Sequence, residues 1–133
     1  MKILIVDDEY VSREKAVAIL SQFGECSTAT SGKDALLAFN LAHDEGLPFD
    51  LMTLDISMPD MDGLTVLHLI RRGEQARNIS LGRGLKVIML TASQDSKTIM
   101  TSFREGCEAY LVKPFNKDNI LGALKELEVP IST

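Results

Sequence analysis

The sequence has few cysteines and no long apolar run, and both absences exclude whole classes of protein. Its two cysteines, Cys26 and Cys107, lie far apart and have no histidine or further cysteine at a metal-ligand spacing. Two reduced, buried thiols are therefore favoured over a disulfide bond or a metal site. The apolar run at residues 3–6 is too short for a signal peptide or a membrane span, so we expect a cytoplasmic protein with no membrane contact.

The chain also has fewer positively than negatively charged residues. The chain has 14 Lys and Arg residues against 19 Asp and Glu residues, which gives a net charge of −5 at pH 7. Such a surface repels phosphate groups on average, so we expect no general nucleic-acid or acidic-membrane surface, although a small basic patch remains compatible. The apolar share of 45% and the charged share of 25% are typical of a globular protein, and 133 residues suit one domain with a buried core.

Short apolar runs alternate along the chain with segments of helical periodicity. The runs are rich in Ile, Leu and Val with little polar alternation, which is typical of strands buried on both faces. They lie at residues 3–6, 50–54, 86–90 and 109–112, and a fifth and weakest candidate lies at residues 26–29. Between them, apolar residues recur three and four positions apart, as on one face of a helix. Five strand–helix units in alternation predict an α/β fold with a parallel sheet covered on both faces.

Start and stop signals agree with this pattern. Ser31 and Asn116 are suited to begin the second and fifth helices, and Gly24 and Gly106 are predicted to end the first and fourth. Residues 73–84 contain three glycines and are predicted to form an extended surface loop, with at most one last turn of the third helix. We find no repeat or linker, so the prediction is one domain over residues 1–128 and a short C-terminal tail over residues 129–133.

Residues that can do chemistry follow four of the five predicted strands. Asp7 and Asp8 come after the first strand, Asp55 after the third, Thr91 after the fourth and Lys113 after the fifth. Each of them alone would be an ordinary turn or cap residue. The carboxyl ends of parallel strands meet at one edge of a sheet, however, and ligands bind there. Because all five residues follow strands in this way, we expect them to form one site.

The residue types at this edge favour phosphoryl transfer. Clustered carboxylates repel one another unless a cation lies among them, and Mg²⁺ is the hard divalent ion that fits best. Asp55 would then attack phosphorus and form an acyl phosphate. This reaction asks the protein mainly for positioning and charge neutralisation, which the metal and Lys113 would supply. The Thr91 hydroxyl would donate a hydrogen bond to the new phosphoryl oxygens.

The stretches that carry these residues resemble a known family. They read ILIVDDE at residues 3–9, LMTLDISMPDMDG at 51–63, VIMLTA at 87–92 and AYLVKPF at 109–115. They are similar to the receiver domains of response regulators in two-component signalling, in particular the single-domain type that resembles chemotaxis regulators. The resemblance covers nearly the whole chain. It implies a flavodoxin-like, doubly wound sheet of five parallel strands in the order 2-1-3-4-5, with five helices.

The resemblance also implies individual roles at the site. Asp55 corresponds to the phosphoacceptor and Lys113 to the lysine that binds the phosphoryl group. Asp8 corresponds to a direct Mg²⁺ ligand, and Asp7 to a carboxylate that acts largely through water. Ser57 stands at the position whose backbone carbonyl completes the metal site, so the identity of its side chain should not matter for coordination.

A second set of implied roles concerns switching. Thr91 corresponds to the switch hydroxyl, and Tyr110 to the aromatic residue that turns inward when Thr91 moves towards the phosphoryl group. The surface expected to change is the fourth strand, the fourth helix and the fifth strand. Pro114 stands where the family has a cis peptide bond, although the sequence alone would not favour one.

The resemblance further implies how the chain works in a pathway. The phosphoryl donor would be a sensor histidine kinase or a histidine phosphotransfer protein, and the output a downstream protein target. The chain would be a monomer or a weak, phosphorylation-dependent dimer. It would catalyse only its own phosphorylation and dephosphorylation, and would not otherwise be an enzyme. Direct output and a phosphorelay intermediate remain equally compatible with the sequence.

Other classes of protein fit less well. A phosphatase of the haloacid dehalogenase type would need its nucleophile and general acid two residues apart after the first strand, where this chain has Asp7 and Asp8 side by side. A flavin-binding flavodoxin relative would need a loop rich in Ser, Thr and Gly after that strand. The chain could also be a receiver domain that no longer accepts a phosphoryl group. The complete set of five site residues is the only observation against this alternative.

Overall fold

The computed structural model describes residues 1–80 and 82–128, and in them five strands and five helices alternate. The strands are β1 (Lys2–Val6), β2 (Glu25–Ala29), β3 (Leu51–Leu54), β4 (Lys86–Thr91) and β5 (Ala109–Val112). The helices are α1 (Tyr10–Leu20), α2 (Gly32–Asp44), α3 (Gly63–Ala76), α4 (Ser96–Arg104) and α5 (Lys117–Glu126). The predicted C-terminal tail at residues 129–133 lies outside the described residues.

The five strands form one parallel sheet in the order β2-β1-β3-β4-β5, which confirms the predicted fold class and strand order. The register places the last residues of neighbouring strands side by side. Val6 pairs with Leu54, and Thr91 pairs with Val112. The residues that follow the strands therefore start from a common edge of the sheet, as expected for a ligand-binding edge.

Helices cover both faces of the sheet, and each face has its own apolar core. On β1, Leu4 and Val6 belong to the core that also contains Phe39 of α2 and residues of α3, whereas Ile3 and Ile5 belong to the core formed with α1 and α5. Successive residues of a strand point to opposite faces, so both sets are buried. This explains why the central strands are almost entirely apolar. Among the described residues, no helix is both long enough and apolar enough to cross a membrane.

Two predicted helix starts and one predicted helix end are confirmed. The Ser31 side chain accepts a hydrogen bond from the backbone N–H of Asp34, and Asn116 forms a reciprocal capping box with Asn119. Gly106 follows α4 with a φ of 104°, which glycine adopts more easily than other residues.

The prediction for Gly24 is wrong. Helix α1 ends at Leu20, and Gly24 lies just before β2 instead. A Cβ atom at this position would collide with the backbone carbonyl of Met1. Glycine is required here because two backbone segments approach each other closely, and not because a helix ends.

The stretch predicted as a loop from residue 73 begins with a last turn of α3, which the prediction allowed for. Helix α3 continues through Ala76, because its last turn is well packed: Gly73 lies against the Phe39 ring and Glu74 is buried. The connection that remains starts at Arg77, whose guanidinium contacts Asn40 and Asp44 of α2. The two cysteines are free thiols, as predicted, but only Cys107 is buried, whereas Cys26 is half-buried.

Candidate functional site

Three carboxylates meet where β1 and β3 end. Asp7, Asp8 and Asp55 each place an oxygen within 4.8 Å of the others, which fits the closeness predicted from the sequence. The backbone explains this arrangement, because Asp55 continues β3 by donating its N–H to the Val6 carbonyl at 3.0 Å. Asp7 and Asp55 are 3% and 5% exposed, whereas Asp8 is exposed. One carboxylate thus faces solvent and two lie beneath it.

Lys113, which follows β5, is the cation at this cluster. Its Nζ lies 2.9 Å from Asp7 Oδ2 and 3.3 Å from Asp55 Oδ2. Burial acts to lower the pKa of Lys113, but the hydrogen bond to Asp7 and the charges of both carboxylates outweigh it, so the pKa is raised. Lys113 therefore stays protonated at neutral pH. Burial raises the pKa of Asp7 despite the hydrogen bond from Lys113.

The charge and the donor atoms of the cluster fit a hard divalent cation. When ionised, the three carboxylates face one ammonium group, which leaves two negative charges in excess. The donors are oxygen atoms, the ligand type that such cations prefer. A cavity of about 380 Å³ opens beside them, lined by Asp8, Glu9, Asp55, Ser57, Ala92 and Lys113.

Thr91 ends β4 at the same edge of the sheet. Its backbone carbonyl accepts a hydrogen bond from the Lys113 N–H at 2.8 Å, so Thr91 and Lys113 are backbone neighbours. The side chain is buried, and its Oγ1 has no hydrogen-bond partner among the described residues. Buried hydroxyl groups normally have a partner. The Thr91 hydroxyl is thus available to a group that enters the site.

Tyr110 links β5 to the segment that follows β4. Its hydroxyl donates a hydrogen bond to the Ser93 carbonyl at 2.9 Å, and the half-buried ring packs against the core beneath α2 and α3. Burial raises its pKa. Because Met89 pairs with Tyr110 and Thr91 with Val112, Thr91 and Tyr110 lie on the same face of the sheet.

Ser57 and Pro114 also lie at this edge. The Ser57 N–H reaches Asp55 Oδ1 at 3.4 Å, and Ser57 belongs to the cavity wall. The Lys113–Pro114 peptide bond is cis, which the sequence alone would not have favoured.

Sequence reasoning did not assign a place at the site to Glu9. Its Oε1 lies 3.8 Å from Lys113 Nζ, and hydrogen bonding by Ser12, followed by the Lys113 charge, lowers its pKa. The signal in the sequence that could have placed Glu9 at the site was its position directly after the two aspartates.

Comparisons with known proteins agree with this geometry. The family model described as the response regulator receiver domain matches residues 3–125. The chain is 34% identical over 128 residues to the chemotaxis protein CheY of Listeria monocytogenes, covering 95% of this chain and 97% of that protein. It is also 34% identical to the probable transcriptional regulator ycf27 of Cyanophora paradoxa, but it spans only 47% of that protein.

Comparison with solved structures also finds receiver domains. A chain of the CheX–CheY–BeF₃–Mg²⁺ complex from Borrelia burgdorferi matches with a TM-score of 0.84 and 26% identity, over 98% of this chain and 90% of that chain. The receiver domain of the histidine kinase CKI1 from Arabidopsis thaliana, complexed with Mg²⁺ and BeF₃⁻, matches with a TM-score of 0.81 and 27% identity, over 97% and 90%. The fold, the acidic edge and the family match together show that the chain belongs to the response regulator receiver domains of two-component signalling.

Proposed function

We propose that the chain is a signalling switch that accepts a phosphoryl group on Asp55. The observation that carries this proposal is the pairing of a buried Asp55 with Lys113 beside two further carboxylates, at the cavity where the strands end. The donor would be a phosphorylated histidine of a sensor kinase or of a phosphotransfer protein. That receiver domains also occur within histidine kinases, including one among the structural relatives, supports a donor of this kind.

The cofactor would be Mg²⁺. Asp8 and Asp55 would hold it directly, Asp7 largely through water, and Ser57 through its backbone carbonyl. When bound, the ion would neutralise the excess negative charge of the site and of the incoming phosphoryl oxygens. Both structural relatives described above are complexes with Mg²⁺ and BeF₃, which supports this assignment.

The protein side chains have separate tasks in the transfer. A carboxylate oxygen of Asp55 forms the new bond to phosphorus, while the bond between phosphorus and the histidine nitrogen of the donor breaks and its electron pair returns to the imidazole. Lys113 Nζ exchanges its contact with Asp55 for one with a phosphoryl oxygen. The Thr91 hydroxyl, which lacks a partner among the described residues, donates to another.

The response would be a shift of the surface formed by β4, α4 and β5. Thr91 would move towards the phosphoryl group, and Tyr110 would give up its hydrogen bond to the Ser93 carbonyl and turn inward. Reversing an equilibrium from 1:99 to 99:1 takes about 5.5 kcal/mol of differential interaction. A phosphoryl group adds roughly −1.5 to −2 charge, and its new bonds supply a few kcal/mol. We therefore expect partial switching.

The rest of the proposal concerns the setting in which the switch acts. The output would be contact with a downstream protein, without nucleic acid or membrane, in the cytoplasm. The chain would act as a monomer or as a weak dimer that forms on phosphorylation. Its catalysis would be limited to its own phosphorylation and dephosphorylation.

The test is a mass measurement on the intact protein. Wild type, Asp55→Asn and Asp118→Asn are incubated with Mg²⁺ and acetyl phosphate or phosphoramidate. Asp118 is exposed on α5, so its variant controls for the loss of a carboxylate elsewhere. We expect one added phosphoryl group in the wild type and in Asp118→Asn, none in Asp55→Asn, and none after chelation of the metal. A wild type that binds Mg²⁺ but gains no mass from either donor would contradict the proposal.

A further inference from the structure

Asp60 lies in the loop between β3 and α3, and its carboxylate binds the beginning of a different helix. Oδ1 accepts a hydrogen bond from the backbone N–H of Gly32 at 3.1 Å, and Oδ2 accepts one from the N–H of Lys33 at 3.0 Å. These two amides lie in the first turn of α2, where the helix offers them no carbonyl partner. Ser31 satisfies the N–H of Asp34 in the same turn. One aspartate thus joins the loop to α2 by two bonds.

The same loop is also fixed where α3 begins. The Gly63 N–H donates to the Ile56 carbonyl at 2.8 Å, and a Cβ on Gly63 would collide with the Asp55 backbone. At the other side, a Cβ on Gly32 would come within 2.9 Å of the Met61 side chain. The two ends of the loop are therefore joined by the Gly63–Ile56 hydrogen bond, and its middle packs closely against α2 near Asp60.

Ser57 lies between these attachments, three residues before Asp60. We infer that Asp60 is a positioning residue: by holding the loop to the first turn of α2, it fixes the Ser57 carbonyl in the place where the site binds Mg²⁺. This inference rests on the proposed function, because it concerns the metal site assigned there. Asp60 itself is not part of the carboxylate cluster formed by Asp7, Asp8 and Asp55.

The position of Asp60 makes the inference testable. Its side chain is exposed, so replacing it removes the two bonds without opening a cavity in the core. The loop should then keep its attachment at Gly63 and the packing of Met58 and Met61 against the core, so we expect the protein to remain folded. What changes is the precision with which the Ser57 carbonyl is held. Loss of a residue that orients a metal ligand typically lowers metal affinity by about 10–100-fold, and we expect about tenfold here because Asp60 is exposed.

The experiment is calorimetric titration of Mg²⁺ into wild type, Asp60→Ala, Asp60→Asn and Asp34→Ala. Asp34 is an exposed carboxylate in the same turn of α2, and its side chain forms no hydrogen bond or ion pair among the described residues. Its variant therefore measures the effect of losing one charge alone. Asp60→Asn retains one acceptor oxygen and should fall between wild type and Asp60→Ala. Amide hydrogen exchange of Gly32, Lys33 and Ser57, followed by NMR, should accelerate in Asp60→Ala and not in Asp34→Ala.

The outcomes separate this inference from the proposed function. If the wild type binds Mg²⁺ and Asp60→Ala binds it equally well, the positioning role is wrong and the metal site stands. An equal loss of affinity in Asp34→Ala would assign the effect to charge and would also overturn the inference. If the wild type binds no Mg²⁺, the proposed metal site fails, and the inference about Ser57 fails with it.

Discussion

Thr91 has a buried hydroxyl with no hydrogen-bond partner among the described residues, and such a group costs free energy. A buried, unsatisfied donor or acceptor destabilises a fold by about 1–3 kcal/mol, whereas an apolar group of the same shape does not. We therefore expect Thr91→Val to raise the free energy of unfolding of the unphosphorylated protein by about 1 kcal/mol. Urea denaturation of the two proteins measures the difference.

A matched control for this variant lies on α4. The Thr98 hydroxyl donates a hydrogen bond to Asp95 Oδ2 at 3.0 Å, so Thr98→Val loses a bond that exists and should be less stable than wild type. The two substitutions are chemically identical and should shift stability in opposite directions. A less stable Thr91→Val protein would show that the Thr91 hydroxyl is satisfied in solution.

Cys107 makes stability depend on pH in the alkaline range. Burial is the main cause that raises the pKa of its thiol from 9.0 to about 12, followed by the charge of Glu108. Below pH 9 the thiol is protonated in both states and has no effect. Above pH 9 the unfolded chain releases this proton and the folded protein does not, so stability is lost up to about pH 12. At pH 10 we expect this loss to be about 1 kcal/mol.

The measurement compares wild type with Cys107→Ala by urea denaturation at pH 8 and at pH 10. The alanine variant loses packing at both pH values, but its loss of stability between them should be smaller by the same 1 kcal/mol or so. Parallel pH dependences in the two proteins would contradict the prediction. Cys26 is present in both proteins and cancels in the comparison.

At the scale of elements, Arg71 of α3 joins the segments that precede β4 and β5, at the edge of the sheet opposite the functional site. Its guanidinium donates to the Gly106 carbonyl at 2.6 Å and to the Leu85 carbonyl at 2.7 Å. It also pairs with Glu74 and Glu108, whose carboxylates accept the N–H groups of Leu85 and Val87. The network joins α3, β4 and the turn between α4 and β5.

Removing this arginine should be costly. Breaking a buried ion pair by deleting one partner typically costs about 3–5 kcal/mol, because a buried charge is left without compensation. We expect Arg71→Met to lower the free energy of unfolding by about that amount. Arg71→Lys should not restore it, since an ammonium group cannot reproduce the planar fork of bonds. Arg72→Met, on an exposed neighbour, is the control and should change stability little. Near-wild-type stability of Arg71→Met would refute the structural role of the network.

Local signals in the sequence were enough for most elements, and their limits have physical causes. The strand-like runs predicted all five strands to within one residue at each end. The signal was strong for β1, β3 and β4, because strands that are buried along nearly their whole length leave little freedom in composition. It was weakest for β2, of which only Ala29 is fully buried. The role of Gly24 was missed because its constraint comes from Met1, a residue on a neighbouring segment. The last turn of α3 was uncertain because its support comes from Phe39 on another helix. Such contacts are set by tertiary packing and leave no local pattern.

The residues of the candidate site can likewise be divided into those that local signals predict and those that they do not. Asp7, Asp8, Asp55, Thr91 and Lys113 were predicted from their places after strands, since the order of strands in a parallel sheet brings those places together. Asp60 gave no such signal, because its partners are two backbone amides of α2, and backbone amides carry no residue identity. The Arg71 network was hidden for a related reason: two of its acceptors are backbone carbonyls at Leu85 and Gly106.

At the scale of the whole molecule, the two ends of the sheet have different characters. The edge at which the strands end carries the carboxylate cluster and the Thr91 hydroxyl, which has no hydrogen-bond partner within the described part of the chain, so the polar groups of this edge are incompletely compensated. At the opposite edge, the Arg71 network satisfies its charges by many hydrogen bonds. We therefore expect phosphorylation to rearrange the first edge while the second stays fixed, and the movement of α4 and β5 to decrease towards Gly106.

Replacing Thr91 by alanine should separate phosphoryl binding from this movement. In Thr91→Ala, Asp55 and Lys113 are intact, so the protein should still gain the mass of one phosphoryl group. The bond that would draw β4 towards that group is missing, and Tyr110 should keep its contact with the Ser93 carbonyl. NMR spectra with Mg²⁺ and beryllofluoride, a phosphoryl mimic, provide the measurement. In wild type, amide shifts should extend along β4, α4 and β5; in Thr91→Ala they should stay near Asp55. Undiminished shifts in α4 of the variant would mean that the signal reaches this surface without the Thr91 hydroxyl.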